Sequence, residues 1–341
     1  MLFFSSSDFS TNITFAQEDS EIWERKANFP EPRTSSASVS INEKIFVLGG
    51  ENNNEQATDS VFVYDVKTDS WEELEPMPLS LHHLAADTYG GKIFVVGGYS
   101  TDWKPMDTLL IYDVKTEKWT FGKNMPTARG ALDANFVDGK LYAIGGYGSM
   151  TLDVNEAYDP TTDTWSTKSP MPTAREHLAI ASVNSNIYAI GGFEKMAGNL
   201  DSNEVYNTIT DSWEELEPIP TARNGLTASV LGEAVLVIGG ESKIETFDKN
   251  EAYIPEEGWI TLQPIPIPRH GMTSAVVNDS IFILGGGVAP GASYSSLVHS
   301  YQNKAIPEFN TLTVVILGIS FVSIIYASRH FTRISKIQKW S

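Results

Sequence analysis

The chain has no cysteine among its 341 residues. Disulfides, thiolate metal sites and cysteine nucleophiles are therefore excluded. Basic side chains are scarce: 24 Lys and Arg stand against 43 Asp and Glu, a formal net charge of -19. Four of the basic residues (Arg329, Arg333, Lys336 and Lys339) fall at the very end, and no acid follows Glu308. The body before them is more acidic still, and it repels nucleic acid, whose binding depends on neutralising phosphates. Cations, basic proteins or neutral glycans suit it better, although an acidic surface also serves plain solubility. No glycine-rich loop opens a helix to cradle phosphate, and the six histidines form no Ser-His-Asp spacing. Apolar residues come in short runs up to residue 308.

What is present is a repeat. Gly-Gly pairs occur at Gly49-Gly50, Gly97-Gly98, Gly145-Gly146, Gly191-Gly192, Gly239-Gly240 and Gly285-Gly286. Tyrosines recur as Tyr64, Tyr112, Tyr158, Tyr206, Tyr253 and Tyr301, and tryptophans as Trp23, Trp71, Trp119, Trp165, Trp213 and Trp259. Three independent markers thus agree on six units of about 46 to 48 residues, each a supersecondary unit that must stack on its neighbours. In the fourth unit, HLAIASV, SNIYAIGG, SNEVYN and WEELEPIP read as four strands by their alternation and β-branched or aromatic content. Four-stranded units in a ring are a β-propeller. The sixth unit lacks a Trp strand, while residues 21–30 form an orphan strand carrying Trp23. Pairing that strand with the segment around Tyr301 closes the ring and removes exposed edges.

The Gly-Gly, Tyr and Trp markers at these spacings resemble kelch repeats over about residues 21 to 304. The resemblance implies an all-β, six-bladed propeller over 21–306 that binds partners through the loops beside the Gly-Gly ends. Radical copper oxidases with this fold need a Cys–Tyr cross-link, which this chain cannot form. Sugar mutarotases with this fold supply an alternative function, a carbohydrate-modifying enzyme.

Two loop sets are expected on one face. One carries Arg33, Leu81, Arg129, Arg175, Arg223 and Arg269; the other carries Glu51, Tyr99, Tyr147, Phe193, Glu241 and Val288. The arginines are candidates for a cationic ring that holds a carboxylate, or else for scaffolding against carbonyls and nearby acids. His83 and His177 stand two blades apart at equivalent positions, where a third repeat has Gly271. Too few ligands converge for a metal, so no metal and no cofactor is expected. Trp103 lies outside the repeat pattern beside Tyr99 and is a candidate binding aromatic. The expected ligand is a protein or a glycan, not nucleic acid.

The ends read differently. Residues 1–20 are Ser/Thr-rich and form either a degenerate export signal or a disordered leader. Phe309 to Ala327 runs for 19 residues without a charge, enough to cross a bilayer as a helix over 309–328. The basic tail, 329–341, then predicts a single-pass membrane protein with a cytoplasmic tail and an extracytoplasmic propeller.

Overall fold

The computed structural model describes residues 21–303. The leader, the 309–328 span and the basic tail lie outside the described residues. Among the described residues no helix is long and apolar enough to cross a membrane.

Six antiparallel four-stranded sheets form the blades. Their innermost strands are Ala37–Ile41, Ala85–Tyr89, Asp133–Val137, Ala179–Val183, Thr227–Leu231 and Thr273–Val277. Each contacts the next, and the last contacts the first, so the ring is closed around a central channel. Second strands such as Lys140–Ile144 are buried on both faces and read as continuous apolar runs.

The core sits between blades. Ile45, Val47 and Tyr64 of the first blade pack on Ala275, Phe282 and Leu284 of the sixth. Each tyrosine marker pairs with the tryptophan of its own outer strand, with ring centroids 4.8–5.3 Å apart. Each tryptophan also reaches across to the preceding blade. The indole N–H groups of Trp71, Trp119, Trp165, Trp213 and Trp259 donate to the carbonyls of Ala27, Glu75, Lys123, Ser169 and Glu217. These amphipathic side chains thus half-bury their rings and still satisfy their one donor.

The seam forms as the sequence implies. Glu21–Arg25 is the outer strand of the sixth blade, with Trp23 opposite Tyr301 in register. Trp23 donates to Gln263 O at 3.0 Å, so the borrowed strand makes the same cross-blade bond as the other five. The hairpin turns before Trp71, Trp119, Trp165 and Trp213 are organised by the Asp or Asn after Tyr: Asp65 Oδ1 accepts from the Lys67 and Thr68 amides, and Asn207 Oδ1 from Ile209 and Thr210.

Candidate functional site

The Gly-Gly ends and the loops leading into the innermost strands meet on one face, and the backbone there is tied together twice. First, the second glycine of each pair donates to the neighbouring blade: Gly50 to Leu81 O, Gly98 to Arg129 O, Gly146 to Arg175 O, Gly192 to Arg223 O, Gly240 to Arg269 O and Gly286 to Arg33 O, at 2.8–3.0 Å. The first glycine has positive φ, and a Cβ on Gly145 would stand 2.7 Å from Arg175 O. Only glycine allows that approach.

Second, six residues ring the channel mouth. Ser35, His83, Ala131, His177, Gly225 and Gly271 all have φ between 50° and 60°. The His83 amide donates to Ser35 O, Ala131 to His83 O, His177 to Ala131 O, Gly225 to His177 O, Gly271 to Gly225 O and Ser35 to Gly271 O. This is a closed hoop of six hydrogen bonds, each 2.7–3.0 Å long. Four members are not glycine, and a left-handed conformation costs such residues roughly 1–2 kcal/mol each. The shared hoop holds them there.

The arginines do not face a ligand. Arg33, Arg129, Arg175, Arg223 and Arg269 are all 0% exposed. Arg129 donates to Thr127 O, Ala143 O and Glu156, and Arg175 to Thr173 O and Ala189 O while pairing with Glu204 at 2.8 Å. Arg223 repeats the pattern with Val237 O, Gly239 O and Glu251. Arg269 donates to Gly285 O, Leu297 O and His299 Nδ1. The cationic-ring expectation is therefore corrected. A buried guanidinium needs acceptors around it: the third, fourth and fifth blades supply a carbonyl from the second strand and a carboxylate from the third, the sixth places His299 where that carboxylate would be, and Arg33 pairs with Glu31. Each arginine joins two blades, by its carbonyl to one and its side chain to the other. In the second blade Leu81 replaces the arginine, and Leu110 stands where Glu156, Glu204 and Glu251 stand; both leucines are buried.

The other candidates gather at the mouth in two layers. Glu51 and Tyr99 are buried, and the Tyr99 hydroxyl donates to Tyr147 O at 2.9 Å. Tyr147, Phe193, Glu241, His83 and His177 are half-buried. The ring of His83 lies 5.0 Å from that of His177 and 5.3 Å from that of Trp103. Trp103 itself is 53% exposed. Burial, with neighbouring imidazoles adding to it, holds His177 down to about 4 and His83 well below its ordinary value. The histidines are thus neutral at pH 7. Burial also pushes Glu51 up, and Glu176 up to about 7.

Several residues at the site escaped the sequence reading. His82 and His270 hold the position directly after Leu81 or Arg269 in their repeats, a position that varies as Thr34, His82, Gly130, Glu176, Asn224 and His270. Variation at one fixed place in a repeat is the signal that would have found them. Below the hoop, the channel is lined by Asp133 and Asn135 among small and hydroxylated residues, with Asp87 further along. The Asp133 carboxylate accepts from the Ala134 and Ile180 amides, and burial still pushes it up to about 7. Asp87 accepts from Thr88 and Phe136 and is pushed up to about 6 for the same reason.

A closed six-bladed ring with one elaborated loop face defines the class: a β-propeller whose variable loops stand on an invariant frame. The chain belongs to the kelch-repeat family. The family model described as KLHDC2/KLHL20/DRC7 Kelch-repeats domain matches residues 7–192, and that of the Kelch motif matches residues 174–220. Among curated proteins, the chain is similar to Kelch repeat and BTB domain-containing protein 3 of Mus musculus, Pongo abelii and Homo sapiens, at 33% identity over 63 residues. That match covers 18% of this chain and 10% of each relative, so the chain spans only a small part of their length.

Proposed function

We propose that this propeller binds a protein surface that is apolar and basic, through the loops that follow the Gly-Gly pairs. One observation carries the reading. Five of the six blades expose a large apolar side chain in that loop: Trp103, Met150, Met196, Ile244 and Val288, at 53%, 64%, 90%, 84% and 44% exposure. Repetition of exposed apolar tips around one mouth is the signature of a contact surface rather than of scattered exposure. The frame beneath is rigid, so the tips arrive preorganised, which lowers the ordering cost of binding. Acids on the same loops, including Glu51, Glu55, Asp102, Glu194 and Glu241, outnumber Lys104, Lys195 and Lys243. They favour a cationic rim on the partner.

Selection of a displayed peptide library on the full chain tests this. Enrichment of basic, apolar sequences is expected, and a variant with Trp103, Met196 and Ile244 all changed to Ser should lose the selected binders. Its unfolding midpoint should not move. Ile209→Ser, at an exposed position on an outer hairpin, should bind normally. Retention by the triple variant would refute the surface. A hit restricted to a glycan array, with anomerisation of a bound sugar, would instead favour the carbohydrate-modifying reading, in which Glu176 and His177 are the adjacent acid–base pair.

We also propose a membrane tether through 309–328, with the propeller extracytoplasmic. The charge step from Glu308 to Arg329 supports it. Protease added to intact cells should remove the propeller; protection would reverse the orientation.

A further inference from the structure

We propose that Glu51, His82 and His83 form a binding site for one divalent transition-metal ion of the zinc type, bolting the first blade to the second. Among the described residues this is the single group of three such side chains whose ligand atoms converge, all within 4.8 Å of one another. Glu51 directly follows the Gly-Gly pair of the first blade, and the histidines lead into the innermost strand of the second. One oxygen and two imidazole nitrogens are a familiar zinc ligand set, with a fourth position left for water.

The hydrogen bonds show how the nitrogens can turn to a metal. His82 Nε2 lies 3.2 Å from the Ser100 carbonyl, which can only accept, so Nε2 carries the proton and Nδ1 a lone pair. That lone pair faces His83 Nδ1 at 2.6 Å, so His83 donates there. His83 Nε2 then accepts from Ser35 Oγ at 3.1 Å. The serine hydroxyl can also accept. If His83 carries its proton on Nε2 instead, Ser35 rotates to receive it, and both Nδ1 lone pairs point at one place. The metal occupies the position of the shared proton. Both outer nitrogens keep oxygen partners, as ligating histidines ordinarily require. Tetrahedral zinc separates two such nitrogens by about 3.3 Å, so the rings need open only slightly. Trp103 packs edge-on to His82 at 4.5 Å and shields it.

The chain contains its own control. The fifth and sixth blades repeat the pair as Glu241 and His270, 3.3 Å apart. There Gly271 stands in the place of His83, leaving two ligands instead of three. The proposed bolt also falls at the one blade junction where leucine replaces arginine.

Titration of the untagged full chain with Zn²⁺ by calorimetry, and with Co²⁺ by absorption, tests the site. About one ion per chain is expected, with a tetrahedral Co²⁺ spectrum and a raised unfolding midpoint. His83→Gly should weaken binding roughly tenfold or more and still fold, because glycine accepts φ of 51° and occupies two equivalent places. Glu51→Gln should weaken it as well, whereas Glu241→Gln should not. Absence of binding, or equal binding by wild type and His83→Gly, would overturn the proposal.

Discussion

Replacing Glu204 by Leu should be among the most damaging single changes in the protein, and replacing Arg175 by Leu as well should undo part of the harm. Arg175 is fully buried and pairs with Glu204 at 2.8 Å. Its guanidinium cannot shed its proton. Glu204→Leu therefore strands a cation between two blades, and breaking a buried pair in this way costs about 3–5 kcal/mol. Arg175→Leu alone should cost less, because the abandoned Glu204 can take up a proton. The double variant reproduces Leu81 and Leu110, which the second blade already tolerates. It still leaves the Thr173 and Ala189 carbonyls without their donor, at about 1 kcal/mol or more each. Its loss should equal or fall below that of Glu204→Leu alone, giving a coupling of about 2 kcal/mol or more in a double-mutant cycle. Urea unfolding followed by tryptophan fluorescence measures all four proteins. With a slope near 3 kcal/mol/M, Glu204→Leu should lower the midpoint by about 1 M or more. Additive losses, or a Glu204→Leu protein as stable as wild type, would refute the view that the arginines are paired scaffolding.

Two further outcomes concern the channel and the blade junctions. The Asp133 carboxyl is raised from 3.8 to about 7 by burial, so its contribution to stability is complete below about pH 4 and is lost as pH rises to about 7. Wild type should lose up to about 4 kcal/mol over that window relative to Asp133→Asn; parallel stability–pH curves would contradict it. Gly145→Ala should cost several times more than Gly90→Ala in thermal unfolding. Both glycines have positive φ, but a Cβ on Gly145 meets Arg175 O at 2.7 Å whereas one on Gly90 meets nothing within 4 Å. Equal losses would mean that conformational strain alone explains the glycine.

The fold was legible because its determinants repeat. Six tyrosines, six tryptophans and six Gly-Gly pairs each have one geometric duty, and the orphan Trp23 could fill only one gap. The site was less legible for the same reason. An arginine repeated in five units looks alike whether it points at solvent or into its blade. The answer lay in a second position: glutamate stands two residues before Tyr158, Tyr206 and Tyr253, and Leu110 holds that place in the unit that has Leu81. Asp87 and Asp133 were passed over because the charge sits on innermost strands, where alternation alone implies small and apolar residues. The exposed tips Met150, Met196 and Ile244 each stand four residues after a second glycine, but they share no residue type, and Trp103 and Val288 fall at five and two, so no common marker drew attention to them.

The hoop at the channel mouth has one further consequence. Every member both gives and receives a bond, so widening the aperture at one point loosens its neighbours, and no blade can tilt outward alone. The aperture on the loop face is therefore framed by main chain, and its span is set by those six bonds. One cavity runs from the hoop residues to Asp133, so the bore of that frame decides which solutes can pass from the loop face to the buried carboxyl.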